Sequence, residues 1–98
     1  MTIQIDYDRP GNTPRFRNNM LDYDGVTPLD PDTQSVQIFD GQKNLVTTIS
    51  KFIRDAPGNY YFYYTIPTDA IRGTWTLKWT AISGGLSSVS TFDFEVAP

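Results

Sequence analysis

Cysteine and histidine are both missing from this 98-residue chain. Without cysteine no disulfide can close a loop, so the hydrophobic core has to hold the fold unaided. The same absence excludes thiol catalysis and thiolate metal sites. A nucleophile needs a base within reach, and histidine, the usual base, is not available. Neither a Gly-x-Ser-x-Gly elbow nor a phosphate-binding loop is present. A carboxylate pair could in principle act on glycosides, but eleven acidic residues make chance pairs common. The expectation is a protein that is not an enzyme and needs no cofactor.

Charge is also scarce, at 19% of residues, and its balance is acidic: eight Lys and Arg against eleven Asp and Glu, net charge −3 and an isoelectric point near 4.5. An acidic chain without a basic stripe is a poor partner for nucleic acid or an anionic membrane. No apolar run reaches the length of a membrane span, and no basic and apolar leader follows Met1. The chain as given is therefore expected to be neither secreted by a cleavable signal nor membrane-spanning.

Aromatic residues, by contrast, are plentiful: six Tyr, six Phe and two Trp. They give a thin domain much apolar area per residue. Apolar residues recur with a period of two. Ile3, Ile5 and Tyr7 alternate with polar neighbours, as do Val36 and Ile38. Tyr60, Phe62, Tyr64 and Ile66 share one face, and so do Trp75, Leu77, Trp79 and Ala81. Phe92, Phe94 and Val96 stand opposite Asp93 and Glu95. Successive side chains of a strand point to opposite faces, so each set can enter a core while its complement meets water.

Turn residues divide these runs. Pro10-Gly11-Asn12 ends the first, and Asp40-Gly41-Gln42-Lys43-Asn44 reads as a hairpin with Gly or Asn available for positive φ. Pro57-Gly58 precedes the Tyr-rich run, and Gly84-Gly85 joins the last two as a hairpin. Seven strand candidates result, near 2–8, 15–21, 33–40, 44–50, 59–66, 73–82 and 86–97. No helix is convincing, and residues 50–56 promise one short turn at most. The expected fold is a single all-β domain over residues 1–98, an immunoglobulin-like sandwich of about seven antiparallel strands in two sheets. A small closed barrel is the alternative. Residues 1–26 read partly as an N-terminal arm or loop. Trp75 is expected between the sheets.

Two segments carry a resemblance. One is Gly58-Asn59-Tyr60-Tyr61-Phe62-Tyr63-Tyr64-Thr65-Ile66-Pro67. The other is Gly73-Thr74-Trp75-Thr76-Leu77-Lys78-Trp79, leading into Phe92-Asp93-Phe94-Glu95-Val96. Together with Asp30-Pro31-Asp32 and Asp40-Gly41 they resemble bacterial and bacteriophage Ig-like domains over roughly residues 27–97. That resemblance implies a non-enzymatic structural module of a phage virion, as in capsid decoration, head-fibre or tail proteins. Its partners would be other virion proteins or neighbouring subunits. The alternative is a carbohydrate- or protein-binding module of a bacterial surface or carbohydrate-active protein, whose exposed Tyr could stack on a surface glycan. The location implied is the virion, or otherwise the bacterial cell surface.

Candidate contact residues follow from alternation. If Tyr60, Phe62 and Tyr64 point inward, Tyr61 and Tyr63 point outward, either to a partner or to cover the sheet. Phe39 raises the same question, since it cannot share a face with both Val36 and Ile38. Arg9, Arg15 and Arg17 lie near the N-terminus, in a segment from Asp8 to Asn19 that reads equally as a mobile arm and as a plain surface loop. Asp22, Asp24, Asp30 and Asp32 are the only metal candidates. Their spacing matches no complete Ca²⁺ loop, and Asp is also the common turn residue. The expectation is no metal.

Overall fold

The computed structural model describes residues 6–8, 11–22 and 24–96. Among them eight strands form, and no helix: β1 (Asp6–Asp8), β2 (Arg15–Asn19), β3 (Thr33–Phe39), β4 (Leu45–Ile49), β5 (Ile53–Ala56), β6 (Asn59–Tyr63), β7 (Gly73–Ser83) and β8 (Leu86–Val96). They make two sheets, a five-stranded one in the order β1-β8-β7-β3-β4 and a three-stranded one in the order β2-β6-β5. The domain is an immunoglobulin-like β-sandwich. All pairings are antiparallel except that of β1 with β8, where Asp6 to Asp8 run parallel to Phe94 to Val96.

The longest ladder joins β7 to β8 in unbroken register from Gly73↔Val96 to Ser83↔Leu86. Gly84 and Gly85 close it, with φ of 58° and 80°. Two consecutive left-handed residues match the twist of the flanking strands, which is why Gly-Gly serves here. On the outer face, Thr74 and Thr76 donate from their hydroxyls to Glu95 and Asp93 across the ladder. The inner face of β7 carries Trp75, Leu77, Trp79 and Ala81, all buried.

Rings fill the space between the sheets. Trp79 stacks on Phe52 at 5.1 Å and tilts against Phe62 at 5.3 Å. Phe16 joins Phe62 at 5.4 Å to Phe94 at 5.0 Å, and Phe94 lies 6.0 Å from Trp75. Both indoles are nearly solvent-free, and both N–H groups are satisfied: Trp75 donates to the Ile71 carbonyl at 2.7 Å, and Trp79 to Gln34 Oε1 at 3.0 Å. Trp75 therefore lies in the core as expected, at one end of the ring series, while Trp79 lies towards the other end and Phe62, touching Phe16, Phe52 and Trp79, lies at its centre.

Three expectations are corrected. Residues 50–56 hold no helical turn. They hold Phe52, a core ring, and β5, an edge strand whose Ile53, Arg54 and Asp55 are all exposed. The segment from Gly11 to Asn19 is not a free arm. Gly11 N–H donates to Ile66 O, Ile66 N–H to Asn12 O and Tyr64 N–H to Pro14 O, and β2 then pairs with β6 throughout. In the 40–44 hairpin, positive φ falls on Lys43, at 65°, rather than on Gly41 or Asn44.

Candidate interaction face

The three-stranded sheet has one face in the core and one outside. Opposed residues of paired strands share a face. Phe16 stands opposite Phe62, and both enter the core. Their neighbours must therefore point out: Arg15 opposite Tyr63, and Arg17 opposite Tyr61, which is itself opposite Ile53. The outer face so assembled holds two arginines, two tyrosines and an isoleucine.

The side chains touch one another. The Tyr61 and Tyr63 rings meet edge to face with centroids 5.8 Å apart. The Arg15 guanidinium lies 5.3 Å from the Tyr61 ring centre, within reach of a cation–π attraction. Arg17 pairs with Asp55 at 3.2 Å. Tyr63 is 56% exposed and Ile53 47%, whereas Tyr61 is half-buried beneath its neighbours. Two arginines against one aspartate leave the patch locally positive on a chain of net charge −3.

Alternation singles out Tyr61 and Tyr63, whereas Arg15 and Arg17 are singled out only by their place in the N-terminal segment; the fold brings these four together. Arg9 lies outside the described residues. Phe39 belongs elsewhere: it pairs with Thr76 and Leu45 on the outer face of the five-stranded sheet, on the opposite side of the sandwich. Sequence reasoning missed Ile53 and Asp55, because a strand with one apolar residue in its first three leaves no period to detect.

The acidic candidates serve as turn and anchor residues. Asp24 accepts from the Val26 and Thr27 N–H groups and from the Thr27 hydroxyl, bonds that hold its carboxyl below its usual pKa. Asp30 binds Arg54 through both oxygens, at 3.0 and 3.1 Å, and also accepts from Gly58 N–H and the Tyr60 hydroxyl. The Arg54 bonds, then the other two, hold its pKa well below the carboxylate range. Asp32 accepts from Gly84 N–H. Asp22 sits at the neck of the 22–27 loop, its backbone bonded to Thr27 and Gly25. No three carboxylates converge to hold a metal among the described residues.

No family model matches the chain, and no curated protein matches it. Among solved structures the chain is similar to CopC from Methylosinus trichosporium OB3b, with a TM-score of 0.62 and 20% identity over 96% of this chain and 84% of that one. A likeness at that identity reaches the fold alone. It also corrects the expected function: the similar structure is CopC and not a virion component, so the assignment to capsid decoration, head fibre or tail is withdrawn. The physical reason is that the Gly-x-Tyr and Gly-Thr-Trp patterns place turns and core rings, features of the sandwich frame that proteins of unrelated roles share.

Proposed function

We propose that this domain is a non-catalytic recognition module that binds a partner protein through the outer face of its three-stranded sheet. The observation that carries the reading is the convergence of Arg15, Arg17, Tyr61 and Tyr63 on one open sheet face. Tyr and Arg are over-represented where proteins meet, because each combines wide contact area with a polar tip. The ring pair and the stacked guanidinium are held in place before binding, so less side-chain freedom is lost on contact. The positive balance favours a partner patch bearing carboxylates. The absence of His and Cys from the whole chain supports binding over chemistry.

The test is the double substitution Tyr61→Ser, Tyr63→Ser. Both rings lie outside the core, so the variant is expected to melt within a few degrees of the parent. Immobilised parent protein should retain a partner from an extract of the source cells, eluting with salt, and the variant should not. Equal retention by both proteins, or retention by neither, removes the proposal. Unfolding of the variant shows instead that the pair is structural.

A further inference from the structure

The two sheets differ in length. β7 and β8 run for eleven residues each, whereas β2 and β6 run for five. The β7–β8 hairpin therefore outreaches the small sheet, and past the end of β2 it is faced by residues 20–22 and Leu29. A cleft of about 490 Å³ opens there, within the size range of small-molecule sites. Met20, Leu29, Trp79 and Ala81 form its apolar part. The room comes from β8. Register sets Ser88 and Ser90 opposite Ala81 and Trp79, on the inner face that Phe92, Phe94 and Val96 share further along. Two small hydroxyl side chains stand where the rest of the strand brings large apolar ones.

One amide borders this space from inside the sandwich. Asn18 faces inward on β2, between Phe16 and Met20, and lines the cleft. The residue is 5% exposed. Its side-chain amide makes no hydrogen bond to any described residue. Yet among the described residues no side-chain nitrogen or oxygen sealed from solvent lacks a partner. The amide oxygen and nitrogen of Asn18 therefore each keep an opening, and the cleft is the space they border. A polar group withdrawn this far from bulk water is costly to leave unpaired, so a molecule that pairs it gains bonds that the fold itself does not make.

We propose that the cleft binds a small neutral molecule with an apolar body and a primary amide or lactam group, held by Asn18. An asparagine side chain sets an acceptor beside its donors. A primary amide or lactam presents the same pair reversed, so the two can close a ring of two hydrogen bonds. Met20, Leu29, Trp79 and Ala81 would cover the apolar body. Among the described lining residues only Asp22 is ionisable, so no cation is at hand to hold an anion, and burying a charged ligand is costly. Asn18 lies on the opposite face of β2 from Arg15 and Arg17. The site is thus separate from the Tyr and Arg face and stands whether or not that face binds protein.

The probe is ε-caprolactam, whose ring locks the amide with acceptor and donor side by side. It is titrated into the whole chain and followed by two-dimensional NMR. Saturable shifts are expected at the Asn18 side-chain NH₂ and at the backbone amides of Met20, Ala81 and Ser88. N-methylcaprolactam, which lacks the N–H, should bind about tenfold more weakly, and so should cyclohexylammonium, a cation of similar bulk. Asn18→Leu keeps the size of the side chain and removes the amide. It should weaken caprolactam binding by about the same factor while the protein stays folded. Four results overturn the proposal: no saturable shift at high millimolar caprolactam, equal binding of either analogue, undiminished binding by Asn18→Leu, or shifts centred on Tyr61 and Tyr63 instead of the cleft. Should Asn18→Leu fail to fold, the comparison of the lactam with its N-methyl analogue on the parent protein still decides.

Discussion

Gly58 stands at the tightest backbone approach of any glycine in the chain. Its φ is +75°, and a Cβ there would lie 2.5 Å from the Met20 carbonyl oxygen and 3.1 Å from Leu29 N. Met20 N–H in turn donates to Gly58 O at 2.7 Å, so the contact is a bonded crossing of two chain segments and cannot open cheaply. Alanine pays about 1–2 kcal/mol for the left-handed conformation alone, and the clash adds to it. Gly58→Ala is thus expected to lower the denaturation midpoint further than any exposed substitution, and an unchanged midpoint in a urea titration contradicts the crossing. Trp75 is the second residue of this kind. Its ring is 2% exposed and its N–H is spent on Ile71 O. Trp75→Ala should cost about 3–5 kcal/mol, a large share of the roughly 5–15 kcal/mol available to a domain. Calorimetry should show either an unfolded protein or a melting point lowered by many degrees.

Elements differ in how far their sequence declares them. β3, β7 and the second half of β8 are legible, because each alternates apolar and polar residues and each alternation is spent on a two-sided environment. β2 is obscured by Asn18, an amide in an inward position between Phe16 and Met20, yet only 5% exposed. β5 is invisible to periodicity, being an edge strand exposed at Ile53, Arg54 and Asp55. The segment before it hides Phe52, whose partners Trp79 and Phe62 are distant in sequence. Alternation was enough to turn Tyr61 and Tyr63 outward, but Arg15 and Arg17 come to stand beside them only through the β2–β6 register, which pairs residues more than forty positions apart. The β3–β4 turn shows the same limit locally. Asp40 Oδ1 accepts from the Gln42 and Asn44 N–H groups, and Lys43 N–H donates to Asp40 O, so the geometry is set by Asp40 and the strain lands on Lys43. Removing its Cβ should relieve about 1–2 kcal/mol of left-handed strain against about 0.5–1 kcal/mol of added chain entropy. Lys43→Gly is accordingly expected to raise the melting temperature slightly, and a clear fall shows that the lysine stem packs on its neighbours.

At the scale of the whole molecule, the Asp30 cluster joins parts of the chain that no ladder connects. One carboxylate holds Arg54 on β5, Gly58 in the β5–β6 turn and Tyr60 on β6, and so ties residues 28–32 to the end of the small sheet. This fixes how stability depends on pH. Asp30 and Asp24 have folded-state pKa values below the ordinary carboxylate value, Asp30 through Arg54 first and Asp24 through Thr27 first. A group of that kind stabilises fully at pH above its unfolded value, and the contribution is lost as pH falls below that value towards and through the folded one. Tyr60 and Tyr64 are shifted upward, chiefly by burial, so each favours its neutral form in the fold. Their contribution is complete below the ordinary phenol value and declines as pH rises past it. Both groups of Asp and Tyr side chains are partly solvated, which keeps each contribution modest. Stability should therefore be level across neutral pH, fall from about pH 4 downward and again from about pH 10 upward. Near the isoelectric point of about 4.5 the chain loses its net charge and should associate while still folded. Melting curves across pH for the parent and for Asp30→Asn decide the matter. The variant keeps a hydrogen-bonding side chain of similar size but no titrating charge, so it should be less stable at neutral pH and should lose less on acidification. Parallel acid limbs in the two proteins show that Asp30 is not the carboxylate responsible.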